Sequence, residues 1–213
     1  MKIVEPSIEI LDELNGEQIL KKIETCGRIC YKSEATEDSA PVFVKNIIKR
    51  GHEAVLEHFS FSVKFICDRG VSHEIVRHRL ASYCQESTRY CNYSKDKFEN
   101  ELTFIDPCFW DTRTDMWEIW SISCELAERQ YLYMLKCGAT PQEARSVLPN
   151  SLKTELIMSA NLREWRHFLK LRCSSAAHPQ MREVALMLLQ EVHNKIPVVF
   201  DDIWEMYKDE LGV

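Results

Sequence analysis

The spacing of hydrophobic positions along this 213-residue chain changes several times, and each change marks an element. From Met1 to Leu11 the pattern alternates loosely, with Ile8 and Ile10 on one side, which predicts an edge strand or extended arm. Ile19, Leu20 and Ile23 then recur at helical spacing within Gly16 to Ile29. A second helix is predicted from about Ala40 to Arg50, with Pro41 in its first turn and Gly51 at its end. His58 to Lys64 reads as the clearest strand, because Phe59, Phe61, Val63 and Phe65 share one face and Ser60, Ser62 and Lys64 the other. A short helix capped by Ser72 follows Asp68-Arg69-Gly70. Tyr93 to Thr114 has no regular period and reads as a long loop with one strand around Leu102 to Ile105. Trp120, Cys124, Ala127, Tyr131 and Met134 define a long amphipathic helix ending at Gly138. Thr140-Pro141-Gln142-Glu143 has the hydroxyl, proline and glutamate of a helix start, and it presents Arg145 on a short helix that Pro149 ends. Leu156 to Ala160 fits a strand or a continuing helix equally well. Asn161-Leu162-Arg163-Glu164 repeats the capping pattern and opens a helix through Leu171 that delivers Arg172 at its end. Two further helices carry Val184, Leu188 and Val192 on one stripe and Ile203, Met206 and Tyr207 on another. This mixed order predicts an α+β fold, a mixed or antiparallel sheet flanked by helices. With no repeat and no linker, residues 1–213 read as a single domain.

Composition narrows the partners. A formal charge of -6 and a pI near 5.7 argue against a general nucleic-acid or anionic-membrane surface, so any anion site must be local. Met1 to Pro6 has no signal-peptide core and no apolar run reaches membrane-span length, so a soluble, cytoplasmic protein is expected. The nine cysteines are odd in number and lack any C-x-x-C pair, which favours reduced thiols, most of them small core residues. Cys84 is expected to pack rather than to act as a nucleophile.

The local anion site stands out as Arg77-His78-Arg79-Leu80-Ala81-Ser82-Tyr83-Cys84-Gln85-Glu86-Ser87-Thr88-Arg89-Tyr90. Its guanidinium groups offer permanent charge and forked donors for phosphate or carboxylate, and Ser82, Gln85, Ser87 and Tyr90 can orient less charged parts of a ligand. On a helix Arg77 and Arg79 would point about 200° apart, so they face different ligands or the helix breaks there. The glycines are too sparse for a dinucleotide or phosphate-loop fingerprint. A nucleotide would therefore be held by side chains, with Arg145, Arg163 and Arg172 as further candidates. His52 and His58 share no helix face and His73 and His78 give no better frame, so no metal site is predicted. Ser87 lacks a placed base and is expected to bind rather than attack. Two rival classes are a single-stranded RNA module stacking bases on Tyr83, Tyr90 and Tyr93, and a phosphate-transferring or hydrolytic nucleotide enzyme, which would need a metal.

Arg77-His78-Arg79, seven residues, Ser87 and then Arg89-Tyr90 resemble the signature of the flavin-dependent thymidylate synthases, and weaker similarity runs from about His52 to the last helix. The resemblance implies that family's fold, a homotetramer with active sites shared between subunits, and FAD as cofactor. It implies reductive methylation of dUMP at the uracil C5, with 5,10-methylenetetrahydrofolate as carbon donor and NADPH as reductant, releasing dTMP and tetrahydrofolate. By the same resemblance Glu74, Arg77, Gln85, Glu86, Ser87, Arg89, Arg145 and Arg172 would line dUMP. His52, Arg77, His78, Arg79, Gln85, Asn161, Arg163 and His167 would contact FAD. Arg172 matches the arginine against the uracil ring, where its charge would stabilise the pyrimidine as it becomes nucleophilic. Ala54 departs from a hydroxyl residue frequent near the flavin. Pro107-Cys108 looks like the nucleophile dipeptide of the classical thymidylate synthases, but its surroundings match nothing in that family.

Overall fold

A computed structural model describes residues 1–95 and 100–211. Residues 96–99 of the loop expected between Tyr93 and Thr114 lie outside them. The chain divides into two compact units. The first comprises Met1–Ser7, Phe65–Arg77 and Cys84–Ile157; the second comprises Ile8–Lys64, His78–Tyr83 and the chain from Met158 onward.

The extended arm at the start is two strands, β1 (Lys2–Val4) and β2 (Ser7–Ile10), separated at Glu5-Pro6. The strand seen in the phenylalanine alternation, β3 (Ser60–Asp68), starts after Phe59 and runs four residues past Lys64, burying Phe61, Val63, Phe65 and Cys67. The ambiguous stretch around Leu156 is a strand, β6 (Lys153–Asn161), with Thr154, Leu156, Met158 and Ala160 buried in strict alternation. Between them come β4 (Ala81–Gln85), which no apolar alternation announced, and β5 (Thr103–Ile105), close to its expected place. The order β2-β3-β6-β4 forms a four-stranded antiparallel sheet, whereas β1 and β5 pair in parallel with Lys2 opposite Thr103.

In the first unit, α3 (Arg69–Ile75) is capped by Asp68, whose carboxylate accepts from the Val71 N–H at 2.6 Å. Ser72 is therefore not the cap. It lies fully buried inside the helix, with its hydroxyl donating to the Arg69 carbonyl at 2.8 Å. The helix α4 (Asp115–Lys136) starts at a Thr114 cap and buries Cys124 and Tyr131 against Leu102, Phe104 and Leu152. Its cap Cys137 is followed by Gly138, whose φ of +98° is open to glycine at little cost. The capping box at Thr140 and Glu143 forms as expected and opens α5 (Pro141–Ala144), followed by a 3-10 turn over Arg145–Val147.

In the second unit, α1 (Gly16–Tyr31) and α2 (Ser39–Lys49) pack closely at Gly27, where a Cβ would come within 2.6 Å of the Phe43 ring. A 3-10 turn over Glu53–His58 leads to β3. The helix α6 (Leu162–Arg172) buries Leu162, Trp165, Phe168 and Leu169, and Asn161 caps it by accepting from the Glu164 N–H at 2.9 Å. Proline at the first position of each sets the start of α7 (Pro179–Lys195) and α8 (Pro197–Tyr207). Ile203 and Tyr207 lie in the core, but Met206, expected on the same stripe, is 60% exposed.

The cysteines do not form the mostly buried set expected. All nine are free thiols, but only Cys67, Cys124 and Cys173 are buried, and Cys84 is exposed. Burial pushes the Cys67 and Cys173 thiols up to about 12, so they stay protonated and inert.

Candidate active site

The signature does not continue α3. Val76 caps the helix, so Arg77 and Arg79 leave it before they would have to share a face, and both are exposed. In the first unit, Glu74 stands half-buried near the end of α3. Gln85 closes β4 with its amide nitrogen donating to the hydroxyls of Ser72 at 2.9 Å and Thr154 at 3.3 Å. Glu86 accepts from the Tyr93 hydroxyl at 2.7 Å and lies 3.5 Å from the Lys153 ammonium. Burial, reinforced by the Glu86 charge, pushes the Tyr93 phenol far above its ordinary range, so it remains a donor. A turn follows in which the Ser87 hydroxyl accepts from the Arg89 N–H at 3.3 Å. Thr88 is buried and accepts from an Arg145 terminal nitrogen at 3.3 Å. Arg145 is thereby brought to the signature turn although 57 residues separate it from Thr88.

In the second unit, His78 is buried and pinned on several sides. Its Nδ1 lies 3.0 Å from a Glu164 carboxylate oxygen, its Nε2 accepts from the Arg172 Nε–H at 3.1 Å, and its carbonyl accepts from the Tyr83 hydroxyl. The His167 and Phe168 rings pack 5.6 Å and 4.9 Å from its own. Burial lowers the His78 pKa below the ordinary histidine value. The Glu164 carboxylate opposes that shift, while Arg172 and His167 add to it. Burial and the Glu164 charge push the Tyr83 phenol up to about 12. The remaining candidates have other partners: the His52 Nδ1 faces the Tyr31 hydroxyl at 3.0 Å, Arg163 meets Glu57 at 2.6 Å, and Asn161 is the α6 cap.

One juxtaposition lay outside the sequence expectation for metals. Ligand atoms of His78, Glu164 and His167 lie within 4.8 Å of one another. Both ring nitrogens of His78 are already hydrogen-bonded, however, and the adjacent Arg172 guanidinium repels a cation. Hydrogen bonds already join Glu164, His78 and Arg172, and His167 packs its ring beside them.

A family model described as thymidylate synthase complementing protein matches residues 10–198, which includes the signature and both clusters. The chain belongs to this family. Its relatives include proteins named flavin-dependent thymidylate synthase. The one from Pyrococcus abyssi is 35% identical over 158 residues, covering 73% of this chain and 64% of that protein. The Geobacter sulfurreducens protein is 30% identical over 190 residues, covering 84% and 80%. The Mycobacterium avium protein is 31% identical over 200 residues, covering 84% and 78%. The chain thus spans just under two thirds of the length of the Pyrococcus abyssi relative.

Sequence reasoning misses Glu164 and Arg166 as site residues, and it offers Tyr83 only as a base-stacking ring. The capping pattern puts Glu164 at the helix start, but its side chain goes to His78 instead. Arg166 is 1% exposed and forks onto Asp202 at 2.7 Å, with Glu53 at 3.2 Å and the Val199 carbonyl as further acceptors. The available signal was charge at core positions: Glu164 and Arg166 flank Trp165 on the buried stripe of α6. The exposed donors Arg79, Arg163, His52 and His167 are cations and rings of the kind that suit a dinucleotide. The Arg163–Glu57 pair is half-exposed on both sides, at 52% and 45%, so it holds Arg163 only weakly against a competing phosphate.

Proposed function

We propose that the chain is an FAD-dependent thymidylate synthase that converts dUMP to dTMP, with 5,10-methylenetetrahydrofolate as carbon donor and NADPH as reductant. The observation that carries this reading is that the signature from Arg77 to Tyr90 lies inside a family match spanning residues 10–198. When bound, the flavin supplies the electrons that reduce the transferred one-carbon unit to a methyl group. His52, Arg77, His78, Arg79, Gln85, Asn161, Arg163 and His167 are the residues we assign to holding it. Glu74, Arg77, Gln85, Glu86, Ser87, Arg89 and Arg145 are assigned to the phosphate and sugar of dUMP. The Ser87 hydroxyl and the Arg145 guanidinium, brought to one turn, support that set, because a phosphate monoester needs several donors at once; Glu86, an acceptor, can serve only the sugar hydroxyls. Arg172 is assigned to the pyrimidine, where a fixed charge stabilises the developing anion.

The assembly that goes with this reading is a homotetramer with shared active sites. It is supported by the outward face of α4, where Ile119, Ile122, Leu126 and Tyr133 are 61%, 55%, 47% and 63% exposed. A cytoplasmic location is supported by the nine free thiols, the form a reducing compartment maintains. Among the described residues, no helix is long and apolar enough to cross a membrane.

The decisive experiment is the visible spectrum of the purified protein, with release and identification of its chromophore. We expect FAD that bleaches with NADPH and recovers on addition of methylenetetrahydrofolate and dUMP. A protein that takes up no flavin from excess FAD would sink the reading.

A further inference from the structure

The partners of His78 determine its proton. An arginine Nε always carries hydrogen and cannot accept, so the His78 Nε2 that faces it at 3.1 Å must be the bare nitrogen. The ring proton therefore sits on Nδ1, which donates to Glu164 at 3.0 Å. A carboxylate that fixes the tautomer of a histidine, so that its far nitrogen acts on a third group, is a recurring arrangement at reactive sites. The helix does not need Glu164 for its cap, because Asn161 alone caps α6. A glutamate side chain only 8% exposed, bonded to a histidine side chain only 2% exposed, is expensive to bury unless the pairing is used.

We propose that Glu164 is a positioning residue that acts through His78. It fixes the ring proton on Nδ1, and the bare Nε2 holds the plane of the Arg172 guanidinium. This rests on the reading that Arg172 serves the pyrimidine. The groups facing His78 are Glu164, His167 and Arg172 from α6 and Tyr83 from β4. If His78 gained a second proton, an N–H would face the Arg172 N–H and the bond would be lost. The acid limb of activity should therefore follow His78. Glu164 is the one acid among these groups that favours the protonated ring, so its neutralisation moves that limb to lower pH.

The test uses the flavin-loaded protein, wild type and Glu164→Gln, alongside Arg172→Ala. Glu164→Gln is expected to retain its flavin, to lose about tenfold or more in kcat, and to shift the acid limb of kcat to lower pH. Wild-type kcat with an unmoved limb overturns the proposal. Nitrogen-15 NMR of the His78 ring in the wild type gives an answer independent of activity and of variant folding. A proton on Nδ1 with a bare Nε2 is expected, and the opposite tautomer overturns the relay. If Arg172→Ala turns over normally, the assignment of Arg172 to the pyrimidine is wrong. If Arg172→Ala is inactive while Glu164→Gln behaves as wild type, only the relay fails.

Discussion

At the scale of single residues, Arg172 has its Nε committed to the ring nitrogen of the buried His78. An exposed guanidinium samples many orientations, whereas one bonded through Nε has its plane fixed, and that distinction separates charge from geometry. Arg172→Lys keeps the charge but loses the planar fork, so it cannot satisfy His78 and a pyrimidine oxygen in the same way. We expect Arg172→Ala to lose about 100- to 1,000-fold in turnover, the range seen when one transition-state donor is removed. Arg172→Lys should recover only a minor part of that loss. Flavin content, read from the absorbance ratio of the purified variants, should stay near wild type in both. Arg172→Lys at wild-type turnover would mean that charge alone suffices and that the orientation set by His78 is idle.

At the scale of elements, α6 carries the largest concentration of buried charge in its unit; the sequence marked the helix and its cap, but not where those charges go. Helices with a clean apolar stripe and recognisable ends, such as α1, α2 and α4, were readable because burial and capping act locally. β4 was not, because its strand follows from pairing with β6 rather than from its own alternation. The signature residues could be picked out by chemical type, and Arg145 could be named, but nothing local shows that it reaches Thr88. Glu164 and Arg166 were hidden for the same reason: their partners, His78 and Asp202, lie 86 and 36 residues away. Arg166 joins α6 to α8 and to the 3-10 turn at Glu53, and its removal would leave two acids facing an emptied core position. Arg166→Leu should destabilise by about 3 kcal/mol, toward the low end for a broken buried pair, because Asp202 is itself 46% exposed. Burial alone would raise the Asp202 carboxyl, but Arg166, aided by Lys170, holds it below the usual carboxylate range. That contribution is present above the ordinary aspartate value of about 3.9 and is lost as pH falls through the lower folded value. Urea unfolding midpoints of wild type and variant should therefore differ at neutral pH and converge in acid, and a constant gap would place the stabilisation elsewhere.

At the scale of the whole molecule, the question is what covers α4. Cys124 and Tyr131 face its own core, and on the opposite side Ile119, Ile122 and Leu126 follow the three-four spacing of a packing seam, with Tyr133 seven residues further on. A seam of this kind, about 21 Å long from Ile119 to Tyr133, is too regular to read as scattered surface apolar residues. The charges along it favour a second copy of the same helix in antiparallel register. Asp115, Glu118 and Glu125 lie toward the N-terminal half, and Arg129 and Lys136 toward the C-terminal half, so a two-fold axis near the middle sets acid against base at both ends. One such axis would supply one of the two-fold contacts that a tetramer of dihedral symmetry requires. Leu126→Glu places a charge at the centre of the seam, next to its own symmetry mate, without touching the core of the subunit. We expect sedimentation to show a smaller species, far-ultraviolet circular dichroism to stay unchanged, and turnover to fall in step with the mass if neighbouring subunits complete each site. Wild-type mass for this variant would exclude α4 as the contact. A smaller species with full turnover would keep the contact but remove the sharing of active sites across it.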